Sequence, residues 1–508
     1  MTATRQLYYG DNLDVLRKKL KDDSIDLCYI DPPFNSKRNY NQIYNNVGAE
    51  DLAQVQAFVD TWKWDSEAEA AFGEILANEQ GRYQPQLVDL VKGLAPVLKK
   101  GSLLAYLVSI ARRATEIRRV LKPTGTFFLH CDPTSSHYLK IVLDSIFCSA
   151  GGEYLNEIAW CYSHGGKSKK HFGKKHDIIL FYTKSENHIF NGDKVRIEMK
   201  SGKQSFGGRL ETDEDGRKYR LVYGTKNKQG ETKYYKYYLD EGKVPEDWWT
   251  DINSLQATSA ERLGYPTQKP LALLERLISA CSNEGDIVLD AYCGCGTTVD
   301  AAEKLKRQWI GIDITYQAIS VILDRLATTY GHDFPLSITL NGIPKDMASA
   351  RALALKRDDR LRKEFEKWAV LTYTNNRAVV NEKKGADGGI DGIAFFRTGK
   401  NENAKVIFQV KSGSVQRGDI PKLKGDMDGV GAEMAVFITL EEPSRPMVDA
   451  AKGVGQFAHE EMGRSYDRVQ IVTIQDIVEH GKRFDIPMSV TVLKAALKVV
   501  KEEQLDLL

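Results

Sequence analysis

The chain reads as an α/β protein in two parts, a doubly wound, largely parallel sheet followed by a smaller α/β domain. Three observations predict this. The apolar run IDLCYI ends in the turn DPPF. About 260 residues later, DIVLDAYCGCGTTVDAAEKL runs strand, Gly-rich turn and helix, with a further strand, WIGIDI, about 20 residues on. Near residue 345 a charged helical stretch begins, and beyond it GADGGIDG leads into the strand AKVIFQVKSG. Strands that alternate with helical patterns favour parallel sheets. At 508 residues the chain exceeds one ordinary core, and about two to four domains are expected.

The first element carries chemistry. Asp31, Pro32, Pro33 and Phe34 follow the strand directly. An aromatic amine is a poor nucleophile because its lone pair is delocalised, so a catalyst must hold the NH2 and draw its hydrogens into strong acceptors. Asp31 can accept one hydrogen, and the carbonyl of Pro32 the other, since proline keeps its acceptor while losing its donor. Phe34 offers a face on which an extruded base can stack. A DPP loop is also a common tight turn, so the tetrad gains weight from the second motif. There Ile287 to Leu289 run into Asp290, then a turn with Gly294 and Gly296 that opens a helix. Such glycines let backbone approach a ligand at a helix N-terminus, and a carboxylate at the next strand end, Asp313, can take the two hydroxyls of a ribose. Cys293 and Cys295 read as small, semi-apolar fillers of this turn rather than metal ligands, because no further Cys or His pair lies nearby.

Taken in order, GDNLDVLRKKLKDDSIDLCYIDPPFN, RRVLKPTGTFFLHCD, HDIILFYTKS, ERLGYPTQKPLALLERLI, DAYCGCGTT and WIGIDI resemble the DNA amino-methyltransferases of the β arrangement, in which the catalytic motif precedes the cofactor motif. The resemblance covers roughly the first 330 residues. It implies a Rossmann-like core dependent on S-adenosylmethionine, with Asp31, Pro32, Pro33 and Phe34 catalytic and Asp290, Tyr292, Gly294, Gly296, Asp313 and Lys269 at the cofactor. The family more often has Ser where this chain has Cys295. Asp in first position of the tetrad implies adenine N6 as the target, where Ser would lean toward cytosine N4. A cytosine-C5 mechanism would need a Cys that typically follows a proline, and none of the seven cysteines does.

Residues 185–260 occupy the place of a target-recognition insertion. Their aromatic cluster, Tyr234, Tyr235, Tyr237, Tyr238, Trp248 and Trp249, is expected mainly to be the core of a small sheet. The stretch SHGGKSKKHFGKKHD, with Lys167, Lys169, Lys170, Lys174 and Lys175, reads as a loop for phosphate contacts, with a solvated basic loop as the plain alternative. Its GGKS is not a phosphate-binding Walker loop, since Cys161 stands at the first glycine. Residues 40–115, including Trp62 and Trp64, are rich in helix formers and are assigned only to packing or DNA approach.

In the second part, Asp391 in a turn is followed by Gln409 and Lys411, two apart on one strand face. This is a layout for metal-dependent phosphodiester cleavage. Asp391 would ligate Mg2+, a hard cation that prefers oxygen, with Glu366 on the preceding helix as second carboxylate, Gln409 as a further ligand and Asp387 as a rival. Lys411 would orient or help deprotonate the attacking water and offset transition-state charge. These residues resemble the Mrr-like branch of the PD-(D/E)xK nucleases, in which Gln often replaces Glu. The resemblance implies a restriction-endonuclease-like fold, or that fold used only to bind DNA or a partner.

The organisation expected is a methyltransferase domain over 1–335, a linker over 336–360 and a nuclease domain over 361–508 that ends in an amphipathic helix, VLKAALKVVKEEQLDLL. The 42% apolar and 28% charged content is that of a globular protein, and the net charge of +2 requires any DNA footprint to be local. The N-terminus lacks a signal-peptide core and no apolar run approaches about 18 residues, so a cytoplasmic protein with no membrane partner is expected. Scattered cysteines fit a reducing compartment. The expected substrate is double-stranded DNA, with a homodimer and a separate restriction or helicase subunit left open. Adenine methylation coupled to Mg2+-dependent cleavage is the expected function. The alternative is an epigenetic methylase, of N6-adenine or N4-cytosine, whose C-terminal domain only binds.

Overall fold

The computed structural model describes residues 4–34, 39–42, 55–59, 62–163, 170, 172–198, 209–226, 232–256, 259, 261–263, 267–344, 346–355, 359–374, 377–380, 389–398, 403–459 and 463–485. Most of the basic loop, Asp387 and the expected C-terminal helix lie outside the described residues.

Nine strands build the principal sheet: β1 (Arg5–Tyr9), β2 (Ile25–Ile30), β3 (Leu121–Cys131), β4 (Glu153–Cys161), β5 (His176–Thr183), β6 (Trp248–Trp249), β7 (Ile287–Asp290), β8 (Gln308–Asp313) and β9 (Thr339–Asn341). Their spatial order is β6-β4-β5-β3-β2-β7-β8-β1-β9. All neighbours pair parallel except β5, which is antiparallel to both β3 and β4. Every residue of β2 is buried. Leu27 and Tyr29 join one apolar cluster and Cys28 and Ile30 the other. Successive side chains of a strand point to opposite faces, so a central parallel strand must be apolar throughout.

The order reverses between β2 and β7. From β7 the chain proceeds through the helix over Thr297–Lys304 to β8, whereas β2 leads away to β3, and the crevice at such a switch point is where ligands bind in open α/β sheets. Here Asp290 pairs in register with Tyr29. The helices that cover the sheet and bear on the site are α1 (Asn12–Lys19), α2 (Ser102–Val120), α3 (Leu271–Cys281), α4 (Thr297–Lys304) and α5 (Tyr316–Tyr330). Residues from the 40–115 region supply packing near the crevice, with the Trp62 ring 5.4 Å from Tyr106 and the Trp64 ring 5.5 Å from Phe72.

The insertion contains a three-stranded antiparallel sheet over Arg209–Thr212, Lys218–Lys226 and Thr232–Tyr238. The expectation that its aromatics are mostly core does not hold. Tyr234, Tyr235, Tyr237 and Trp248 are about half exposed, while Tyr219 and Trp249 are buried. A three-stranded sheet has two faces, and here most of the tyrosine side chains of the last strand remain open to solvent.

The span 336–360, expected as a linker, is structured in part. Strand β9 extends the principal sheet beside β1, and the helix α6 (Met347–Ala354) is capped by Asp346, whose carboxylate accepts from the Ser349 amide. The second domain follows with the helix α7 (Asp359–Tyr373) and a five-stranded sheet in the order β10 (Val379–Val380), β11 (Gly392–Arg397), β12 (Asn403–Lys411), β13 (Met434–Thr439), β14 (Val469–Thr473). The first three strands are antiparallel and the last three parallel. One apolar cluster runs from the methylase sheet through α5 and α6 into this domain, taking in Ile319, Leu353, Phe365, Trp368 and Ile438. Arg351 adds a bidentate ion pair to Glu441 at 2.6 and 3.1 Å. Among the described residues no helix is long and apolar enough to cross a membrane.

Candidate active site

A cavity of about 850 Å3 opens at the switch point and is lined by residues far apart in the chain. That volume suits a small-molecule ligand. Asp31, Pro32, Pro33 and Phe34 form one part of the wall, and Asp290, Tyr292, Gly294 and Asp313 another. Gly296 does not line the cavity. It caps α4 with φ +76°, and a Cβ there would stand 2.7 Å from Ile322 Cγ1, so the position admits no side chain without displacing α5.

The glycine turn is tied to the strand ends by its own backbone. Asp290 accepts the Tyr292 amide at 2.9 Å. Asp313 accepts the Gly294 amide at 2.9 Å with one oxygen, and with the other the Thr315 amide at 2.9 Å and hydroxyl at 2.8 Å. Burial, with repulsion from Asp31 and Asp313, lifts Asp290 to about 7 in spite of its hydrogen bonds. Burial also lifts Asp313 to about 6, and Glu364 adds to the shift. Two carboxylates with raised affinity for protons suit ligands that bring hydrogen-bond donors or positive charge. Cys293 and Cys295 are free and buried, packed in the turn. Asn12 donates to the Ala291 carbonyl at 2.7 Å, and Arg113 binds Asn12 and Asp11, which fixes the loop after β1 against the glycine turn.

Lys269 lines the same cavity as the glycine turn. It is buried with its ammonium 2.6 Å from Asp31 Oδ2 and 5.1 Å from the Phe34 ring centroid, so it pairs with the tetrad's own carboxylate. Gln268 braces the preceding loop, its amide donating to the Glu261 carbonyl at 2.8 Å while its oxygen accepts the Leu263 amide at 2.9 Å.

Sequence reasoning missed His130. It is fully buried at the end of β3, stacked on Phe34 with ring centroids 5.8 Å apart and planes 18° apart. Its Nδ1 lies 2.9 Å from Tyr29 Oη and its Nε2 3.1 Å from Asp177 Oδ2, and Tyr162 donates to Asp177 at 3.0 Å. Burial alone would raise Asp177, yet the His130 contact and nearby Lys269 hold it below the ordinary carboxylate range. The signal that could have found His130 was present in TFFLHCD, a polar ring at the C-terminal end of a strand adjoining the tetrad's strand.

In the second domain the structure brings together Asp391, Glu366 and the strand of Gln409 and Lys411. Asp391 is buried, and its Oδ2 accepts the Val410 amide at 2.8 Å. Its Oδ1 meets the Lys363 ammonium at 2.6 Å, and Lys363 also reaches Glu366 at 2.9 Å. Burial, then repulsion from Asp391, raises the Glu366 carboxyl. Gln409 donates to the Gly389 carbonyl at 3.0 Å, which leaves its oxygen as acceptor, and Lys411 lies 3.3 Å from Asp419. Among the described residues no group of three or more His, Cys, Asp and Glu gathers as a metal site. A hard cation here would therefore rest on Asp391, Glu366 and amide or backbone oxygen, a set suited to Mg2+.

Comparisons with known proteins agree with this division. The model of the DNA methylase family matches residues 25–324, and that of a restriction endonuclease family matches residues 361–479. The DNA adenine methyltransferase YhdJ of Escherichia coli is 28% identical over 324 residues, 63% of this chain and 82% of its own length. The type II methyltransferase M.HpaI of Haemophilus parainfluenzae is 30% identical over 235 residues, 46% of this chain and 63% of its own length. The type II methyltransferase M.BglII of Bacillus subtilis is 30% identical over 218 residues, 40% of this chain and 54% of its own length. The chain thus spans less than two thirds of the latter two.

Proposed function

We propose, from the premise that this chain belongs to the DNA methylase family, that it methylates the N6 amino group of adenine in double-stranded DNA at a specific site and couples this to Mg2+-dependent cleavage by its C-terminal domain. The observation that carries the reading is the single cavity in which the DPPF tetrad and the glycine turn face each other.

The residues fit S-adenosylmethionine. Asp290, which is buried, and Asp313, which is half-buried, are acceptors for its hydroxyl and charged groups, and Gly294, at φ +47°, leaves backbone free for close approach. When bound, S-adenosylmethionine supplies a methyl group activated by its sulfonium. The chain's own part is to extrude the base, stack it on Phe34 and take the amine hydrogens on Asp31 and the Pro32 carbonyl. This aims the nitrogen along the line of transfer, where positioning is worth several kcal/mol. His130 stiffens the Phe34 platform from beneath. Adenine rather than cytosine is supported by Asp at the head of the tetrad. The exposed tyrosines and lysines of the insertion, Tyr234, Tyr237 and Lys236 among them, suit contact with DNA by position.

For cleavage, Asp391, Glu366 and Gln409 would hold Mg2+ and Lys411 would face the reacting phosphate. A second reading, a methylase whose C-terminal domain only binds, has one observation in its favour, the neutralisation of Asp391 and Glu366 by Lys363. The test incubates the protein with unmodified DNA, Mg2+ and S-adenosylmethionine and maps modified bases and strand breaks by sequencing one sample. N6-methyladenine in one short motif with breaks at or near it is expected. Methylation without breaks would support the second reading, and no methylation would overturn both.

A further inference from the structure

Helix α7 belongs by sequence to the C-terminal domain, yet one edge of it forms part of the wall of the methylase cavity. Lys363, Glu364 and Lys367 line that wall beside Asp313, Ile314 and Thr315. Residues three and four apart on a helix share a face, so this edge is presented as a unit.

Glu364 is the informative member. It is buried, and its Oε1 is held by Lys367 at 2.7 Å. Among the described residues its Oε2 has only long contacts, the Tyr9 hydroxyl and the Tyr316 amide, each at 3.4 Å. Bonds of that length are weak, so a buried carboxylate oxygen retains acceptor capacity at the end of β1 and the start of α5. Asp313, its neighbour across the pocket, already spends both oxygens on Gly294 and Thr315. Burial raises Asp313 most, and the charge of Glu364 adds to that shift. A ligand that brings O–H or N–H donors between them would relieve this cost.

We propose that Glu364 is a cofactor-binding residue contributed by the nuclease domain, an acceptor for the hydroxyl or amino donors at the adenosine end of S-adenosylmethionine. This rests on the reading of the cavity as the methyl-donor site. The methylase site is then complete only when α7 is docked. The same helix places Lys363, the adjacent residue, on Asp391 and Glu366, so one helix contacts both sites.

The test is calorimetric binding of S-adenosylhomocysteine, which permits no turnover, to the full chain. Four forms are compared: wild type, Glu364→Gln, the double variant Glu364→Gln/Lys367→Met, and Asp313→Asn. The double variant removes both partners of the Lys367–Glu364 ion pair together. Both Glu364 variants are expected to bind at least about tenfold more weakly, the range for a lost hydrogen bond to a charged group. If Glu364→Gln alone melts early, the double variant decides. Binding by the double variant within twofold of wild type overturns the proposal. Absence of binding by wild type overturns instead the reading of the cavity, and the two failures are thereby distinct.

Discussion

Asp31 does not stand alone in its loop, because the Lys269 ammonium occupies one of its oxygens. The other must take the amine hydrogen. Asp31→Ala is therefore expected to lower kcat by at least about 10²-fold, the scale of losing one transition-state acceptor or donor, while binding of S-adenosylhomocysteine stays near wild type. Equal loss of binding would move Asp31 to the cofactor. Asp290 and Asp313 make a prediction in pH. Both are raised, to about 7 and about 6, so near pH 6.5 each is partly protonated without ligand. Ligand donors and positive charge favour the ionised forms, so binding must release protons and weaken as pH falls from 8 to 5.5. Calorimetry in buffers of different ionisation enthalpy should read that release, and proton uptake would reverse the assignment. At this scale the tetrad and glycine turn were legible because each motif is contiguous. His130 was not, since what marks it is its stacking on Phe34, about 100 residues away in the chain.

Elements show the same division between local pattern and assembly. The strand, turn and helix around Gly296 were readable from apolar run and glycine spacing, and the structure adds why the last glycine is fixed. Gly296→Ala places a methyl 2.7 Å from Ile322 in a left-handed backbone, and should lower stability by at least about 1 kcal/mol and weaken cofactor binding. An unchanged melting temperature and affinity would contradict that packing. In the nuclease domain, Lys363 neutralises two carboxylates that a cation would otherwise hold. Lys363→Met should melt earlier without metal, by roughly 3 kcal/mol for a partly buried pair broken on one side, and should recover with millimolar Mg2+ through binding linkage. A deficit that Mg2+ does not restore would remove Asp391 and Glu366 from the metal site. The aromatic strand was misread as core because strand propensity marks a residue as suited to a pleated surface without saying what covers it.

For the whole molecule, the two-part α/β plan was legible because strand and helix patterns repeat along the chain. The joint was not. The 336–360 stretch is charged and short in apolar runs, yet β9 adds to the methylase sheet and Phe365 and Trp368 of α7 are fully buried in a cluster common to both domains. Which apolar face meets which is a property of the assembled surfaces and leaves little periodic trace. Asp391→Ala should abolish cleavage and leave methylation within about twofold, measured on one DNA sample. Cleavage that survives would exclude Asp391, and methylation that fails would show the joint to be more sensitive than a buried single substitution should make it. A chain ended at residue 345 should instead lose both solubility and cofactor binding, since it bares the α5 surface on which α7 lies.

The shared helix has a consequence for inheritance. A cell that carries separate cutting and protecting proteins dies when the protecting one is lost first. Where α7 both braces the methyl-donor pocket and carries residues of the cutting centre, a frameshift or deletion upstream of it silences the two together. Such a truncation thus removes both functions at once instead of leaving an unopposed toxin.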